Sequence, residues 1–402
     1  MKIGVYGGSF NPPHTGHVLA AAELIRALQL DRLLIVPAAN PPHKSLAPGS
    51  PSPEARLALC RAAFSGVEKA ELCDLELRRE GKSYTVDTLA ALKAANPEAE
   101  LILIMGTDMF LSFSTWREPE RIASLAALAV MKRDERMDTW AQVQREAEQL
   151  RRSMSARVIQ VENRCVQISS TTVRRLLAFG APDCLEQPVL DLILQNGWYL
   201  TGDSLKGLPF ARLREISLSL HDEKRRAHVD GTCETSAALA VHWGADRETA
   251  RRAGILHDIT KALGPKEQLH LCDKYAMMLT PTQRENPKLL HAKTGAVIAR
   301  EVFGESEEVR EAIWWHTTGR AAMTTLEKIL YIADYMEPNR SFPGVETLRD
   351  LAGRNLDAAV FCGLDQSISH LRIQGRVIDP DSLNAWNYYR KFSERSQQRE
   401  TL

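Results

Sequence analysis

His14 and His17 close a turn that reads Gly7-Gly8-Ser9-Phe10-Asn11-Pro12-Pro13-His14-Thr15-Gly16-His17. Imidazoles three residues apart lie about one helical turn from each other, so both can donate hydrogen bonds to one phosphate and stabilise charge that builds as a phosphorus–oxygen bond breaks. The turn joins apolar Ile3-Gly4-Val5-Tyr6 to the helical-looking residues 18–24. A strand that ends in glycines and feeds a helix presents unpaired backbone N–H groups and the positive end of a helix dipole, which suits an anion such as a nucleotide phosphate. A second anion site is written in Ile168-Ser169-Ser170-Thr171-Thr172-Val173-Arg174-Arg175. Its hydroxyl residues cap a helix start, and Arg174 adds a forked, permanently charged donor.

The second half carries a different set. His228 stands in Arg225-Arg226-Ala227-His228-Val229-Asp230, His257-Asp258 follows Gly254-Ile255-Leu256, and Asp334 follows Ile329-Leu330-Tyr331-Ile332-Ala333. A His-Asp pair and a lone Asp within apolar helices are costly to bury unless they bind something. Two imidazoles with two carboxylates suit iron, manganese or zinc.

The elements that must position these residues differ between the halves. Continuous apolar strands at 3–6, 33–36, 101–105, 128–131 and 158–161 alternate with helical stretches, which predicts a doubly wound α/β fold with a parallel sheet covered on both faces. Ligands in such folds sit beyond the carboxyl ends of the strands. The glycine turn, Asn40-Pro41-Pro42-His43-Lys44 and Gly106-Thr107-Asp108 all occupy that place. Residues 201–210 read as a linker, and beyond them helical periodicity predicts an all-α domain with helices near 212–220, 226–243, 247–261, 289–303, 307–317, 326–336 and 355–372. The expected domains are therefore 1–200 and 211–395.

A chain of 402 residues exceeds one ordinary core, and its 51 basic residues cancel its 51 acidic ones, so neither nucleic acid nor a membrane surface is an expected partner. Met1 leads into a strand rather than a signal peptide, and no apolar run reaches membrane-spanning length, which predicts a cytoplasmic protein. Seven cysteines at 60, 73, 165, 184, 233, 272 and 362 form no CxxC pair and read as small buried hydrophobes.

The glycine turn and the ISSTTVRR segment together resemble the nucleotidyltransferase superfamily, with its Rossmann-like fold. Residues 1–200 further resemble the bacterial nicotinate-nucleotide adenylyltransferases, through Pro37–Lys44, Gly81-Lys82-Ser83-Tyr84-Thr85-Val86-Asp87-Thr88-Leu89, Gly106-Thr107-Asp108 and Trp116. That resemblance implies adenylyl transfer from ATP, with Mg2+, to nicotinate mononucleotide. It implies that Gly7, Gly8, Ser9, Phe10, Gly106, Asp108, Ile168, Ser169 and Ser170 hold ATP, and that His14, His17 and Arg174 also act in catalysis. Asn40, His43, Lys44, Thr85, Trp116 and Arg133 would hold the nicotinate nucleotide, although Lys132-Arg133-Asp134-Glu135 departs from the family pattern of Arg before Pro or Gly.

Residues 211–392 resemble the HD superfamily of metal phosphohydrolases, and within it the symmetrical bis(5'-nucleosyl)-tetraphosphatases, through Leu290-His291-Ala292-Lys293-Thr294-Gly295, Trp314-Trp315-His316-Thr317-Thr318-Gly319 and Asp334-Tyr335-Met336-Glu337-Pro338-Asn339-Arg340. This implies hydrolysis of diadenosine tetraphosphate to two ADP by a metal-activated water. His228, His257, Asp258 and Asp334 would bind the metal, with iron expected ahead of manganese or zinc. His228, Asp258, Lys261, His291, His316, Thr317 and Arg340 would contact the polyphosphate. Whether His291 or His316 moves a proton or completes a second metal site is open at this stage. Two alternatives compete: that the helical domain acts on another nucleotide, or that it is a nucleotide-sensing module regulating the first domain. Oligomeric state is likewise open.

Overall fold

The computed structural model describes residues 1–41, 46–47, 49–79, 81–132, 137–164 and 168–399. His43, Lys44 and Arg133 lie outside the described residues. The chain divides into two compact units, Met1–Leu177 with Pro182–Leu200, and Ala178–Ala181 with Thr201–Leu402.

In the first unit β1 (Lys2–Gly8), β2 (Arg32–Pro37), β3 (Ala70–Leu72), β4 (Glu100–Gly106), β5 (Ala127–Met131) and β6 (Val158–Val161) form one sheet in the order β3-β2-β1-β4-β5-β6. Every pairing is parallel. Around it run α1 (Thr15–Ala27), α2 (Pro53–Phe64), α3 (Thr85–Ala95), α4 (Thr107–Leu111), α5 (Pro119–Leu125), α6 (Met137–Met154), α7 (Ser170–Ala178) and α8 (Gln187–Asn196).

Alternation along the strands explains the apolar runs. Tyr6, Leu33, Ile35, Ile102 and Ile104 face α1, α2, α7 and α8, while Ile3, Val5, Leu34, Leu101 and Leu103 face α3 to α6. Each fully buried aliphatic side chain contributes about 1.5–3 kcal/mol, and neither sheet face is left to water. Strand order reverses at β1 and β4, where Tyr6 pairs with Ile104, and the place beyond their carboxyl ends is where folds of this kind hold ligands. The edge strand β3 escaped the sequence reading because it is three residues long with a polar residue at its centre.

The second unit is helical: α9 (Phe210–Leu220), α10 (Glu223–His242), α11 (Arg247–Leu256), α12 (Pro265–Lys274), α13 (Pro281–Glu285), α14 (Leu290–Glu301), α15 (Glu307–Trp315), α16 (Thr325–Met336), α17 (Val345–Arg354), α18 (Leu356–Ile373) and α19 (Pro380–Arg399). Helix α16 is buried on nearly every side, through Leu326, Ile329, Leu330, Tyr331, Ile332 and Ala333, and packs against α10, α11, α15 and α18. Its start is fixed by a reciprocal cap in which Thr324 Oγ1 accepts from Glu327 N and Glu327 accepts from Thr324 N. Helices α10 and α11 meet at Gly254, where an added Cβ would lie 2.7 Å from Cys233 Cα.

Two expected helices stop just before a histidine that the sequence singled out. The one predicted over 247–261 stops at Leu256, and the one over 307–317 stops at Trp315. In both places the chain turns so that the next residue, His257 or His316, swings its ring back onto the helix end. No helix among the described residues is long and apolar enough to cross a membrane.

Candidate active sites

In the first unit the glycine turn leaves β1 with Phe10 in the left-handed region, at φ 43°. The Phe10 ring is buried and meets Tyr6 and Phe64 edge-on, at centroid distances of 5.6 and 5.8 Å. A Cβ on Gly8 would lie 3.1 Å from that ring, and one on Gly16 would lie 2.9 Å from Ile168 Cγ2. Small residues here therefore let the turn close and let the start of α1 approach the segment before α7.

His14 and His17 stack with ring centroids 3.7 Å apart. The His14 backbone N–H donates to His17 Nδ1 at 3.2 Å, so a neutral His17 carries its proton on Nε2 and is a donor there.

The ISSTTVRR segment reaches the same turn. Ser169 Oγ accepts from Thr172 N at 3.1 Å and caps α7, as its hydroxyl predicts. Ser170 Oγ donates to Pro12 O at 2.9 Å, and Arg174 donates to Asn11 O at 2.5 Å and to Thr171 Oγ1 at 3.2 Å. The structure thus brings Gly7–His17 and Ile168–Arg174 together at the switch point. Gly106 ends β4, the strand beside β1, and the exposed Asp108 follows it in the first turn of α4.

Asn40, after β2, is tied to the start of α3, since Ser83 N donates to Asn40 O at 3.0 Å and Asn40 N donates to Ser83 Oγ at 3.3 Å. Thr85 opens α3, and the Arg117 guanidinium lies 4.6 Å over the Tyr84 ring, which holds the Trp116 loop against that helix start. Half-buried Trp116 leans on Phe113 at 5.5 Å.

Two side chains that support these loops were not singled out from sequence. Arg56 is fully buried and donates to Ser9 O and Ala38 O at 2.7 Å and to Ala39 O at 3.0 Å, so one guanidinium joins the loops after β1 and β2. Burial lowers its pKa. Glu76 is buried and accepts from Thr88 Oγ1 at 2.8 Å. Burial raises its carboxyl above the ordinary value, against the lowering effect of its bonds from Thr88 and Ser83. Nothing in their local spacing marks either residue, because their importance comes from what folds around them.

In the second unit five helices bring their ends to one point. His228 comes from the first turns of α10, His257 and Asp258 from the turn after α11, His291 from the start of α14, His316 from the turn after α15 and Asp334 from the last turn of α16. Three of these are helix C-termini, whose negative dipole ends favour a cation.

The four imidazoles are held alike. His257 Nδ1 contacts Gly254 O, His291 Nδ1 contacts Lys288 O and His316 Nδ1 contacts Ile313 O, each at 2.7 Å. A carbonyl only accepts, so these Nδ1 atoms are protonated, and the tautomer leaves Nε2 with a lone pair facing the cluster. His228 Nδ1 lies 3.2 Å from Glu337 Oε1, a buried carboxylate that also accepts from Asn339 N at 2.7 Å.

Nε2 of His228, His257 and His316 is buried without a hydrogen bond. His228 Nε2 is 3.1 Å from Asp334 Oδ1 but out of line for one, and His257 Nε2 is 3.6 Å from Asp258 Oδ2 and 3.7 Å from Asp334 Oδ1. Atoms bound at about 2.1 Å to a common ion are spaced roughly 3–3.5 Å apart, so the set fits a divalent metal. His228, His257 and Asp334 form one such group, and His257, Asp258 and His316 form another. Asp258 divides its oxygens: Oδ2 faces His228 and His257, while Oδ1 lies 3.3 Å from His291 and 3.7 Å from His316.

Charge follows from this geometry. Burial would raise both aspartates, but His257 and His228 outweigh it for Asp258, and His228 and His257 do so for Asp334, so both stay well below the ordinary carboxyl range. Burial would lower His228, but Asp258 and Asp334 lift it to about 9. His291 is pushed down to about 3 by burial and by the Lys261 ammonium, which donates to its Nε2 at 2.8 Å. The His291 ring is therefore neutral and bonded to Lys261, whereas His316 stands with the ligand atoms. Arg340 donates to Asp334 Oδ1 at 3.0 Å, and Arg225 pairs with Asp258. Thr317 is half-buried beside His316.

A cytidylyltransferase-like family profile matches residues 5–176 and an HD-domain profile matches residues 225–339. A probable nicotinate-nucleotide adenylyltransferase of Thermomicrobium roseum is 34% identical over 210 residues, 51% of this chain and 94% of that protein. A symmetrical bis(5'-nucleosyl)-tetraphosphatase of Bacillus subtilis is 37% identical over 167 residues, 41% of this chain and 89% of that protein. The chain belongs to both families, one in each unit. A Mycoplasma pneumoniae protein named a probable nicotinate-nucleotide adenylyltransferase/Ap4A hydrolase shares the whole arrangement, at 28% identity over 341 residues, 84% of this chain and 88% of that protein. The adenylyltransferase unit is thus a transferase and the HD unit a metal-dependent hydrolase.

Within the HD unit, Glu337 and Arg225 contact the cluster although neither was assigned a role from sequence. Glu337 sits inside the Asp334–Arg340 motif, yet only the folded geometry shows it reaching back to His228.

Proposed function

We propose that the adenylyltransferase unit makes deamido-NAD and pyrophosphate from ATP and nicotinate mononucleotide, and that the HD unit uses one water to split diadenosine tetraphosphate into two ADP. The observation that carries the hydrolytic half is the convergence of three buried, unbonded Nε2 atoms on two aspartates held ionised. The transferase half draws support from the docking of Ser170 and Arg174 onto the turn that holds His14 and His17.

In the transfer reaction a phosphate oxygen of nicotinate mononucleotide attacks the α-phosphorus of ATP, and the bond from that phosphorus to the pyrophosphate breaks. Positioning and charge neutralisation suffice, so no side chain need act as nucleophile. His17 donates from Nε2 and His14 and Arg174 hold neighbouring oxygens, over backbone amides of Gly7–Phe10, with Gly106, Asp108 and residues 168–170 lining the ATP side. Asn40, Thr85 and Trp116, with His43, Lys44 and Arg133, receive the nicotinate nucleotide. Mg2+ arriving with ATP supplies charge neutralisation for the pyrophosphate.

In the hydrolytic reaction His228, His257, Asp258 and Asp334 hold the metal, and His316 extends the ligand set. The metal supplies Lewis acidity toward water and phosphate, and the nitrogen and oxygen donors suit iron, with manganese and zinc next. Lys261, Thr317 and Arg340 hold polyphosphate oxygens, and His291 orients Lys261. ATP and both dinucleotides are soluble cell metabolites, which fits a cytoplasmic enzyme.

Single substitutions in the full chain test the division of labour. His17→Ala should cut deamido-NAD formation by at least a hundredfold and leave tetraphosphate cleavage intact, while His257→Ala should do the reverse. Loss of both activities in either variant, or of neither, contradicts the assignment.

A further inference from the structure

Asn11, within the glycine turn, is 2% exposed, and its side chain has no task in the reactions above. Its backbone carbonyl is the group on which the Arg174 guanidinium rests, so any shift of Asn11 moves Arg174 with it. The amide is gripped on both sides. Asn11 Nδ2 donates to Ser50 Oγ and Asn11 Oδ1 accepts from Tyr199 Oη, each at 2.7 Å.

The direction of these bonds is fixed from the far end. Ala47 O can only accept, so the Ser50 hydroxyl donates to it, at 2.6 Å. Ser50 Oγ is then left as an acceptor and takes the Asn11 NH2, which turns Oδ1 toward Tyr199 and obliges the phenol to donate. Burial raises the Tyr199 phenol above its ordinary value, against the lowering effect of Arg174 and Arg56, so that proton stays in place. Tyr199 itself is held at φ 63°, in the left-handed region, just beyond Gly197, which closes α8 at φ 62°. A non-glycine residue keeps such a backbone only where its surroundings over-determine it, and such places cluster at functional sites.

We propose that Tyr199 is a positioning residue for adenylyl transfer: through Asn11 it fixes the carbonyl that carries Arg174, and so keeps that guanidinium aimed at the α-phosphate. The proposal rests on the adenylyltransferase reading of the first unit. The backbone amides of the turn bind ATP with or without this grip, whereas alignment of Arg174 matters most as charge develops on the transferred group. Loss of the Tyr199 hydroxyl therefore falls on turnover rather than on substrate affinity.

A double-mutant cycle in the full chain tests this. Tyr199→Phe should lower kcat for deamido-NAD formation about 10–100-fold, with KM for ATP and for nicotinate mononucleotide each within about threefold of wild type. In an Arg174→Ala background the same change should cost less than about threefold, because the group it aims is gone. Ser50→Ala removes the partner on the other side of the amide from a half-buried position, and should lower kcat at least about threefold even if Tyr199→Phe proves too unstable to assay. A loss that repeats in full in the Arg174→Ala background marks a merely structural tyrosine and overturns the proposal, as does an unchanged kcat in Tyr199→Phe or in Ser50→Ala. If wild type forms a dinucleotide from nicotinamide mononucleotide instead, the acceptor reading falls and the cycle run on that reaction judges Tyr199. No dinucleotide with either acceptor sinks the adenylyltransferase reading and this proposal with it.

Discussion

Glu337 does for His228 what backbone carbonyls do for the other three histidines of the cluster: it fixes Nδ1 and so presents Nε2. Partners of this kind typically hold 10–100-fold of metal affinity. Glu337→Gln should therefore lower affinity in that range in a chelator competition, and equal affinity would contradict the role. That His228, His257, Asp258 and Asp334 come together was legible in the sequence, because a His-Asp pair among apolar residues has little reason to be buried. Glu337 was not, since an acidic residue after a helix end is ordinarily solvated and only folding returns it to His228. Glu76 illustrates the same limit in the adenylyltransferase unit. Its folded carboxyl is raised by burial, so its contribution to stability is full below the ordinary glutamate value of about 4.3 and is lost as pH rises through the folded value. Glu76→Gln keeps an acceptor for Thr88 and has nothing to ionise. Relative to wild type, its melting temperature should gain as pH rises from 4 to 8; a constant difference across that range contradicts this account.

At the scale of elements, the parallel sheet was readable because strands buried on both faces must be apolar throughout, and the switch-point rule then located the loops. Helix ends were harder, because the residues that stop α11 and α15 are those of the metal site and carry no glycine or proline signal. Close approaches were invisible for the same reason. Gly254→Ala would push a methyl against Cys233 Cα and separate the helices that carry His228 and His257. Overpacking of this sort costs about 1–3 kcal/mol. The expected result is a lower melting temperature together with substoichiometric metal, and unchanged values for both would refute the tight contact. Arg56 joins two loops of the nucleotide site through three carbonyls, and stranding buried acceptors costs about 1–3 kcal/mol each. Arg56→Met should lose stability of that order in denaturant titration and raise KM for ATP; a variant with wild-type values for both contradicts the staple.

For the whole molecule, two units with unrelated architectures serve, in the function proposed above, two kinds of phosphorus chemistry: one would position nucleotides over backbone amides, and the other gathers imidazoles and carboxylates that would hold a metal. Their requirements separate cleanly. A strong chelator, followed by removal and readdition of Mg2+ alone, should strip the imidazole–carboxylate centre while restoring the cation that accompanies ATP. Product analysis of one preparation before and after this treatment is the most direct test. The account predicts two ADP from diadenosine tetraphosphate before stripping and none after, with deamido-NAD formed from ATP and nicotinate mononucleotide at the same rate in both. ATP plus AMP as cleavage products, cleavage that survives stripping, or no deamido-NAD at either stage would contradict it.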